Sequence, residues 1–386
     1  MHDFSFNTTR TLINECGASL QLPSHCGRFN ARRVMIITDA GIISAGLLDP
    51  VQDSFKTAGI AIRVFDSVQA DPDERVVRDA AAQASDFEAD LVLGFGGGSS
   101  MDVAKLVAVL AHPKTQQSLE EMYGVEQISS PRLPLMQVPT TAGTGSEVTP
   151  IAIVTTGETT KAGVVSATLQ PDIAILDATL TLGLPPHVTA ATGVDAMVHA
   201  IEAYTSVHRK NPYSDMCARE ALRHLSRNIR SAVKEGTDLS ARQHMLFGAM
   251  LAGQAFANAP VAAVHALAYP LGGHFHIPHG LSNALVLPHV LRFNASHAQA
   301  EYAQLAPLVD PGIKAQTEAD LCTALIQAIE TLIKDVQLPL TLGECGIQES
   351  DLEMLARDAM LQERLLVNNP RPVAESDALA IYHAAL

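Results

Sequence analysis

The sequence predicts an α/β N-terminal domain followed by an all-helical C-terminal domain. The chain has 386 residues, which is more than a single ordinary hydrophobic core accommodates. Short apolar runs rich in β-branched residues alternate with helix-like stretches in residues 33–178, whereas the spacing after Pro186 is helical almost throughout. We therefore place the boundary after Leu184, with an α/β domain over residues 1–184 and a helical domain over residues 185–386.

Five apolar runs in the first half are typical of buried strands, and they cover residues 34–38, 60–65, 91–95, 135–138 and 173–176. Helical spacing predicts helices over residues 71–89, with Pro72 in the first turn, and over residues 101–111. Continuous apolar strands that alternate with helices indicate a parallel sheet with both faces covered.

The bulk composition argues against several classes of partner. A formal net charge of -15 repels polyanions, so we expect neither nucleic acid nor an anionic membrane surface as a partner. The five cysteines are scattered and form no CxxC pair, which is typical of reduced thiols in the cytoplasm. The polar residues 1–10 do not resemble a secretory signal, and no apolar run reaches the ~20 residues that a spanning helix needs. We expect a cytoplasmic location.

A glycine-rich segment, residues 94–100 (Gly-Phe-Gly-Gly-Gly-Ser-Ser), lies between an apolar strand and a helix. Glycines let a ligand approach the backbone closely, and the helix N-terminus presents free N–H groups, so the segment suits a pyrophosphate. Its spacing departs from the GxGxxG pattern, because Ser99 stands where the third glycine is expected. A tight turn without a ligand is the alternative interpretation.

A second polar loop, residues 139–147 (Pro-Thr-Thr-Ala-Gly-Thr-Gly-Ser-Glu), also follows a predicted strand. Its hydroxyls could line phosphate or ribose, although Ser146 could equally cap a helix. Because both loops follow strands of one predicted parallel sheet, together they indicate a dinucleotide site. Asp39 ends another strand and could accept hydrogen bonds from ribose hydroxyls while repelling a 2′-phosphate; helix capping is again the alternative.

Asp195 and His199 are four residues apart on a predicted helix, so they share one face and could bind one ion. This pair alone is weak evidence, since such spacing is common on solvated helix faces. His265 adds an imidazole in an apolar helical segment, and residues 272–280 add three more: His274, His276 and His279. One carboxylate with three imidazoles, His199, His265 and one from residues 272–280, suits a borderline divalent ion such as iron(II) or zinc.

The ordered set of motifs along nearly the whole chain resembles the iron-containing (group III) alcohol dehydrogenases. The matching segments are residues 96–102, 139–147 and 191–199, His265 with residues 278–280, and residues 369–372 (Asn-Pro-Arg-Pro). The resemblance implies a dehydroquinate-synthase-like fold with an N-terminal dinucleotide-binding domain, and it implies a homodimer.

The resemblance also implies roles for particular residues. The implied metal ligands are Asp195, His199, His265 and His279. The implied NAD contacts are Gly97, Gly98 and Ser99 at the pyrophosphate with Asp102 nearby, Thr140, Thr141 and Thr144 on the nicotinamide side, Asp39 and Lys161 at the riboses, and Leu180 at the adenine.

Two positions depart from the family pattern. Tyr269 stands where members often carry a histidine that relays the substrate proton, and a phenol relays protons less readily at neutral pH. His276 and His274 are the alternative relays. Asp71 stands where members often carry asparagine near the cofactor, and the added carboxylate should disfavour a phosphorylated ribose.

We therefore expect a metal-dependent, NAD-linked alcohol dehydrogenase that interconverts a small primary alcohol and its aldehyde by hydride transfer. Glycerol dehydrogenase and maleylacetate reductase activities are alternatives on the same fold. A dehydroquinate-synthase-type lyase would need basic residues for a substrate phosphate, and residues 261–287 contain no Lys or Arg. A metallohydrolase would leave both loops and Asp39 without a role.

Phe256 faces either the substrate or the core.

Overall fold

A computed structural model describes residues 3–157 and 160–386. These residues form two compact units. The α/β unit comprises Thr8–Thr141 and Gly145–Gly183, and the helical unit comprises Leu184–Leu386 with Ala142–Thr144 and the N-terminal residues up to Asn7. Residues 142–144 lie in the middle of the second polar loop, so that loop contributes residues to both units.

The described strands all lie in the α/β unit. Their bounds are β1 Thr11–Asn14, β2 Arg33–Asp39, β3 Ala61–Val68, β4 Leu91–Gly96, β5 Gly124–Val125, β6 Leu135–Pro139, β7 Ile151–Thr156, β8 Thr160–Val165 and β9 Ile173–Leu176. Six of them form a parallel sheet in the order β1-β9-β6-β4-β2-β3, which confirms the predicted sheet. Met35 and Ile37 pack in one apolar cluster and Val34 and Ile36 in another, so both faces of β2 are covered.

A second, three-stranded sheet was not predicted. It has the order β5-β8-β7, and β7 and β8 pair antiparallel from Ile151–Val165 to Thr156–Thr160. Residues 158–159 at its turn lie outside the described residues. The two-residue β5 and the four-residue edge strand β1 are too short to stand out in the sequence, whereas β7 carries a short apolar run, Ile151–Val154, that the sequence analysis missed.

The described helices extend through both units. Their bounds are α1 Leu22–Cys26, α2 Ala40–Ser44, α3 Asp49–Thr57, α4 Glu74–Asp86, α5 Gly98–Leu110, α6 Pro186–Thr205, α7 Pro212–Lys234, α8 Leu239–Asn258, α9 Ala263–Phe275, α10 His279–Val309, α11 Glu318–Asp335, α12 Leu352–Met360, α13 Glu363–Leu366 and α14 Glu375–Ala385. Short 3₁₀ segments are Ala18–Gln21, Gly27–Phe29, Glu120–Met122, Ser146–Val148, Ala167–Leu169, Ala178–Thr181, Gly343–Cys345 and Glu349–Asp351.

Two predicted helix starts were wrong. The helix predicted from residue 71 begins at Glu74, because Asp73 is the N-cap and accepts a hydrogen bond from the N–H of Val76 at 2.9 Å. Asp71 has a φ of 54° and Pro72 precedes the cap, so neither lies in the helix. The helix predicted from residue 101 begins three residues earlier, at Gly98, inside the glycine-rich segment.

Within residues 184–386 every described regular element is a helix, as predicted for the second domain. The 31-residue α10 bends at Ala298, where the backbone leaves helical geometry. In the part of the chain that the structure describes, no single helix has the length and apolarity to cross a membrane; α8 and α9 meet that test only as a pair bent by 106°.

Candidate active site

The start of α10 lies against the backbone of α6, and a glycine makes this approach possible. A Cβ added at Gly280 would lie 2.4 Å from the carbonyl oxygen of Ala191, a distance that no side chain tolerates. Because His279 precedes this glycine and Asp195 lies one turn beyond Ala191, the close approach brings the two side chains together. Glycine is therefore required after His279 in the segment Pro278-His279-Gly280, because no side chain fits between α10 and α6 there.

Four side chains of the helical unit converge: Asp195 and His199 from α6, His265 from α9 and His279 from α10. One potential ligand atom from each lies within 4.8 Å of the other three. Asp195, His199 and His265 are buried, whereas the side chain of His279 is 40% exposed. Among the described residues this is the single group of three or more His, Cys, Asp or Glu side chains with such geometry.

The spacing of the four side chains fits a metal ion better than direct hydrogen bonding. The Oδ1 atom of Asp195 lies 4.0 Å from Nε2 of His199, 3.9 Å from Nε2 of His265 and 3.6 Å from Nε2 of His279. These distances are too long for hydrogen bonds, but metal–ligand bonds of ~2.1 Å in a tetrahedral site separate ligand atoms by about 3.4 Å. Three imidazoles and one carboxylate also match the ligand preference of iron(II) or zinc.

The pKa values of two residues in the cluster favour the protonation states that bind a cation. Burial lowers the pKa of His199 to about 3, so its imidazole is neutral at pH 7. Burial would raise the pKa of Asp195, but the three neighbouring histidines and the Asn283 amide outweigh it and hold that pKa below its ordinary value. The site thus presents an ionised carboxylate beside a neutral imidazole, which are the protonation states that metal binding requires.

Two buried residues beside the cluster were missed in the sequence analysis. Glu202 accepts hydrogen bonds from His265 and from the backbone N–H of Val264. The Nδ2 atom of Asn283 donates to Oδ1 of Asp195 at 2.6 Å and lies 3.3 Å from Nε2 of both His265 and His279. Spacing could have found them, since Glu202 follows Asp195 by seven residues and Asn283 follows His279 by four, which places each on the ligand-bearing face of its helix.

Aromatic rings also lie against the cluster. The ring of Phe256 stacks on His199 with centroids 4.4 Å apart, and His199 in turn stacks on His265 at 4.8 Å. Phe256 thus lies beside the proposed ligands as a half-buried ring, and its contact with the substrate stays a prediction.

The three residues predicted to relay a proton occupy different places. Tyr269 is beside the cluster, with its ring centroid 5.9 Å from that of His279. His276 ends α9 with a φ of 54° and is exposed. The Nε2 atom of His274 pairs with Asp358 at 2.5 Å, so the structure engages this side chain with α12 and does not bring it into the ligand cluster.

In the α/β unit, the glycine-rich segment forms the turn from β4 into α5. Gly97 is the N-cap of α5 and supplies no side-chain hydrogen bond to the first-turn amides. Gly96 has a φ of 156°, and a Cβ there would lie 2.7 Å from Oγ of Ser100, so glycine is required. Gly98 and Ser99 occupy the first turn of α5, where free N–H groups and the helix dipole favour an anion.

Asp39 lies beside this glycine turn because β2 and β4 are neighbours in the sheet. Its Oδ1 accepts a hydrogen bond from the N–H of Ile42 at 3.1 Å, and its Oδ2 accepts one from Oγ of Ser100 at 3.3 Å. Asp39 therefore caps α2, and the same carboxylate faces the proposed cofactor turn. The sheet order explains how an acidic residue that precedes the glycines in sequence comes to lie next to them.

A backbone hydrogen bond joins the second polar loop to the glycine-rich segment. The N–H of Thr140 donates to the carbonyl of Gly96 at 2.9 Å, and Thr141 lies beside Gly97. Thr144 belongs to the helical unit. Leu180 lies in a 3₁₀ segment of the α/β unit and packs in the same apolar cluster as Ile42.

The remaining predicted cofactor residues already have protein partners. Asp71 forms an ion pair with Lys161. Asp102 accepts hydrogen bonds from Oγ of Ser146 at 2.6 Å and from the N–H of Ile153 at 3.0 Å, and it lies 3.4 Å from the buried Lys105 ammonium. Asp102 thus holds the second loop and the β7–β8 hairpin against α5.

Comparisons with known proteins agree with these features. The family profile "Iron-containing alcohol dehydrogenase" matches residues 9–178, and "Fe-containing alcohol dehydrogenase family, C-terminal" matches residues 189–386. Long-chain-alcohol dehydrogenase 1 of Geobacillus thermodenitrificans is 43% identical over 96% of this chain and 93% of that protein. NAD-dependent methanol dehydrogenase of Bacillus methanolicus is 31% identical over 96% of both chains. A crystal structure of 1,3-propanediol oxidoreductase superposes with a TM-score of 0.96 at 34% identity over 100% of both chains.

Proposed function

The chain belongs to the iron-containing alcohol dehydrogenase family, and from this premise we propose that it couples a small primary alcohol and its aldehyde to NAD at an iron(II) centre. The observation that carries the proposal is the convergence of Asp195, His199, His265 and His279 within one buried cluster. We assign these four side chains as the metal ligands.

The choice of iron(II) rests on the donor set together with the family. Three imidazoles and a carboxylate accept iron(II) or zinc, and zinc generally binds such sites more tightly, so metal supply decides occupancy. The family's name specifies iron, so we propose iron(II) in the cell and zinc as a competing occupant.

The chemistry divides between the bound groups and the chain. When bound, the cation supplies the Lewis acidity that lowers the pKa of an adjacent alcohol, and the nicotinamide supplies the hydride acceptor. Asp195 and neutral His199 provide the charge and the lone pair that hold the cation. Phe256 covers one face of the His199 ring and excludes water from it, which strengthens electrostatic interactions in the cluster.

We propose His276 as the group that carries the substrate proton to solvent and Tyr269 as its neighbour at the cluster. An imidazole titrates near neutral pH and a phenol does not. His276 is exposed at the end of the same helix that carries His265, whereas His274 is engaged by Asp358.

NAD is proposed over NADP because of the charge beside the glycine turn. The carboxylate of Asp39 faces Ser100 and would repel a 2′-phosphate. Lys161, the base that we assign to a ribose and that could attract such a phosphate, is paired with Asp71. The proposed cofactor contacts are Asp39, Asp71, Gly97, Gly98, Ser99, Asp102, Thr140, Thr141, Thr144, Lys161 and Leu180.

Two relatives are named for methanol and for long-chain alcohols, so the test of a small primary alcohol as substrate covers a range of chain lengths. We also propose a homodimer in the cytoplasm; the five cysteines are free, which suits a reducing compartment.

A substrate panel tests the proposal. Metal-free protein is reconstituted with iron(II) or zinc, and nicotinamide absorbance is followed with primary alcohols and aldehydes of increasing length, with NAD and with NADP. Turnover of at least one primary alcohol, dependent on the added metal and faster with NAD, is expected. Metal-independent turnover, or a higher kcat/KM with NADP, would overturn the corresponding part of the proposal.

A further inference from the structure

We propose that Glu202 is a positioning residue that fixes the tautomer of His265 and thereby sets how tightly the four-residue cluster holds its cation. The inference rests on the proposed metal site, and it adds a residue that neither coordinates the ion nor touches the substrate.

Both carboxylate oxygens of Glu202 are used. Oε2 lies 2.6 Å from Nδ1 of His265, and Oε1 accepts the backbone N–H of Val264 at 2.7 Å. Glu202 is 4% exposed, and its ion-pair partner among the described residues is His265. Two fixed hydrogen bonds on one buried carboxylate leave it a single orientation.

These contacts determine which ring nitrogen carries the proton. The carboxylate of Glu202 is the acceptor in this pair, as it is for the N–H of Val264, so the 2.6 Å contact places the proton of His265 on Nδ1. On the opposite side of the ring, Nε2 lies 3.3 Å from the Nδ2 donor of Asn283, which is compatible with a lone pair on Nε2. The Glu202 contact specifies the tautomer, and the Asn283 contact agrees with it.

That tautomer is the one that metal binding needs. The Nε2 atom of His265 is the ring nitrogen that faces Oδ1 of Asp195, so its lone pair points into the cluster. A carboxylate on the far nitrogen of a ligating histidine orients the ring and raises its basicity.

Glu202→Gln separates this role from simple packing. Glutamine has nearly the same shape, but it offers one acceptor oxygen and one NH₂ donor. If the oxygen keeps the fixed N–H of Val264, the NH₂ group faces Nδ1 of His265. The imidazole must then accept at Nδ1 and carry its proton on Nε2, where it blocks the cation. A residue needed only for its volume would tolerate the change.

The first measurement is the tautomer, read by ¹⁵N NMR of metal-free protein labelled at histidine nitrogens. The His265 signals are assigned by their loss in His265→Ala. We expect the Nδ1–H form in the wild type and the Nε2–H form in Glu202→Gln. The wild-type spectrum needs no variant, so an Nε2–H form there would overturn the proposal even if Glu202→Gln did not fold.

The second measurement is cation affinity, from competition with a chromophoric chelator for zinc and for cobalt(II). Loss of such a supporting hydrogen bond typically weakens metal binding about 10–100-fold, and we expect a loss in that range for Glu202→Gln. The exposed Glu235→Gln is the matched control and should bind as the wild type does. The cobalt(II) spectrum at saturation should match that of the wild type, because the four ligands are unchanged.

The outcomes separate this inference from the proposed function. Wild-type protein that binds no stoichiometric cation would overturn the metal site itself. Wild-type protein that binds one cation, with Glu202→Gln binding equally tightly and keeping the Nδ1–H form, would overturn only the role of Glu202.

Discussion

In the helical unit the proposed chemistry belongs to side chains, whereas in the α/β unit it belongs largely to the backbone. Asp195, His199, His265 and His279 extend from three helices and converge within 4.8 Å. Around the glycine turn, by contrast, the free groups are the amides at the N-terminus of α5, and the acidic side chain beside them, Asp39, is already bonded within the protein. A side-chain site is recognisable from its geometry alone, while a backbone site requires the surrounding charges to be considered as well.

The pKa values of two buried carboxylates, one in each unit, shift in opposite directions. Asp195, among histidines and an amide, has a pKa below its ordinary value. Glu147, in the second polar loop, is equally buried, but burial raises its pKa to about 7 despite the nearby Lys105. Burial therefore does not fix the charge of a carboxyl at pH 7: Asp195 is ionised, Glu147 is about half protonated, and the local partners account for the difference.

The largest expected effect is the loss of a proposed ligand. His265→Ala and His279→Ala should each abolish metal retention and lower alcohol oxidation at least about a thousandfold, because the Lewis acid contributes several kcal/mol to the rate. Metal content and kcat are measured on the same preparations. His187→Ala, an exposed histidine of α6, is the matched control and should retain both. Full activity in a ligand variant that holds no metal would contradict the assignment of these helical-unit side chains as metal ligands.

The next largest effect concerns Glu147 and pH. Its carboxyl ionises near 4.5 when unfolded and near 7 when folded, so its stabilising contribution is complete below pH 4.5 and is lost as the pH rises through 7. A shift from 4.5 to about 7 corresponds to roughly 3 kcal/mol. Glu147→Gln lacks this loss. Between pH 5 and pH 8, the unfolding free energy of the wild type should therefore fall by roughly 3 kcal/mol relative to that of Glu147→Gln.

Urea unfolding in the presence of a chelator measures this difference without interference from the metal site. Glu126→Gln changes an exposed glutamate of the same unit and should follow the wild-type pH profile within the error of the fit. Parallel profiles for Glu147→Gln and the wild type would show that Glu147 is charged at neutral pH, as Asp195 is.

A smaller effect is expected at Asp39. Asp39→Asn should raise the kcat/KM for NADP relative to NAD by about tenfold or more, since removal of a repulsion of ~1.4 kcal/mol has that size. Asparagine keeps the acceptor for the N–H of Ile42, so the cap on α2 is preserved. Asp49→Asn removes an equal charge at an exposed position of α3 and should leave the ratio unchanged. An unaltered ratio in Asp39→Asn would assign cofactor choice to another residue.

The smallest effect is expected at Tyr269. Tyr269→Phe should lower kcat by less than about tenfold if His276 carries the proton, since general acid–base catalysis by the true relay contributes about 100-fold or more. Steady-state kinetics across pH provide the measurement, with the exposed Tyr213→Phe as control. A loss as large as that of a ligand variant would instead assign the relay to Tyr269, whose ring is beside His279.

The sequence predicted the parallel sheet and the helical second domain because continuous apolar strands and helical spacing are strong local signals. It placed Asp195 and His199 on one face of a helix. The position of His279 beside them depends on the close approach of α10 to α6 at Gly280, and no local sequence pattern predicts this tertiary contact. Glu202 and Asn283 were missed because their roles depend on α9 and the start of α10 packing against α6. The position of Asp39 beside the glycines depended on the strand order, which periodicity cannot supply.

Metal titration of the metal-free protein tests the central claim most directly. Iron(II) or zinc is added in substoichiometric steps, and bound metal and NAD-linked oxidation of a primary alcohol are measured at each step. We expect activity to rise in proportion to bound metal and to level off at about one ion per chain, as a single four-ligand site requires. Activity already complete before any metal is added, or saturation without a bound ion, would contradict the account.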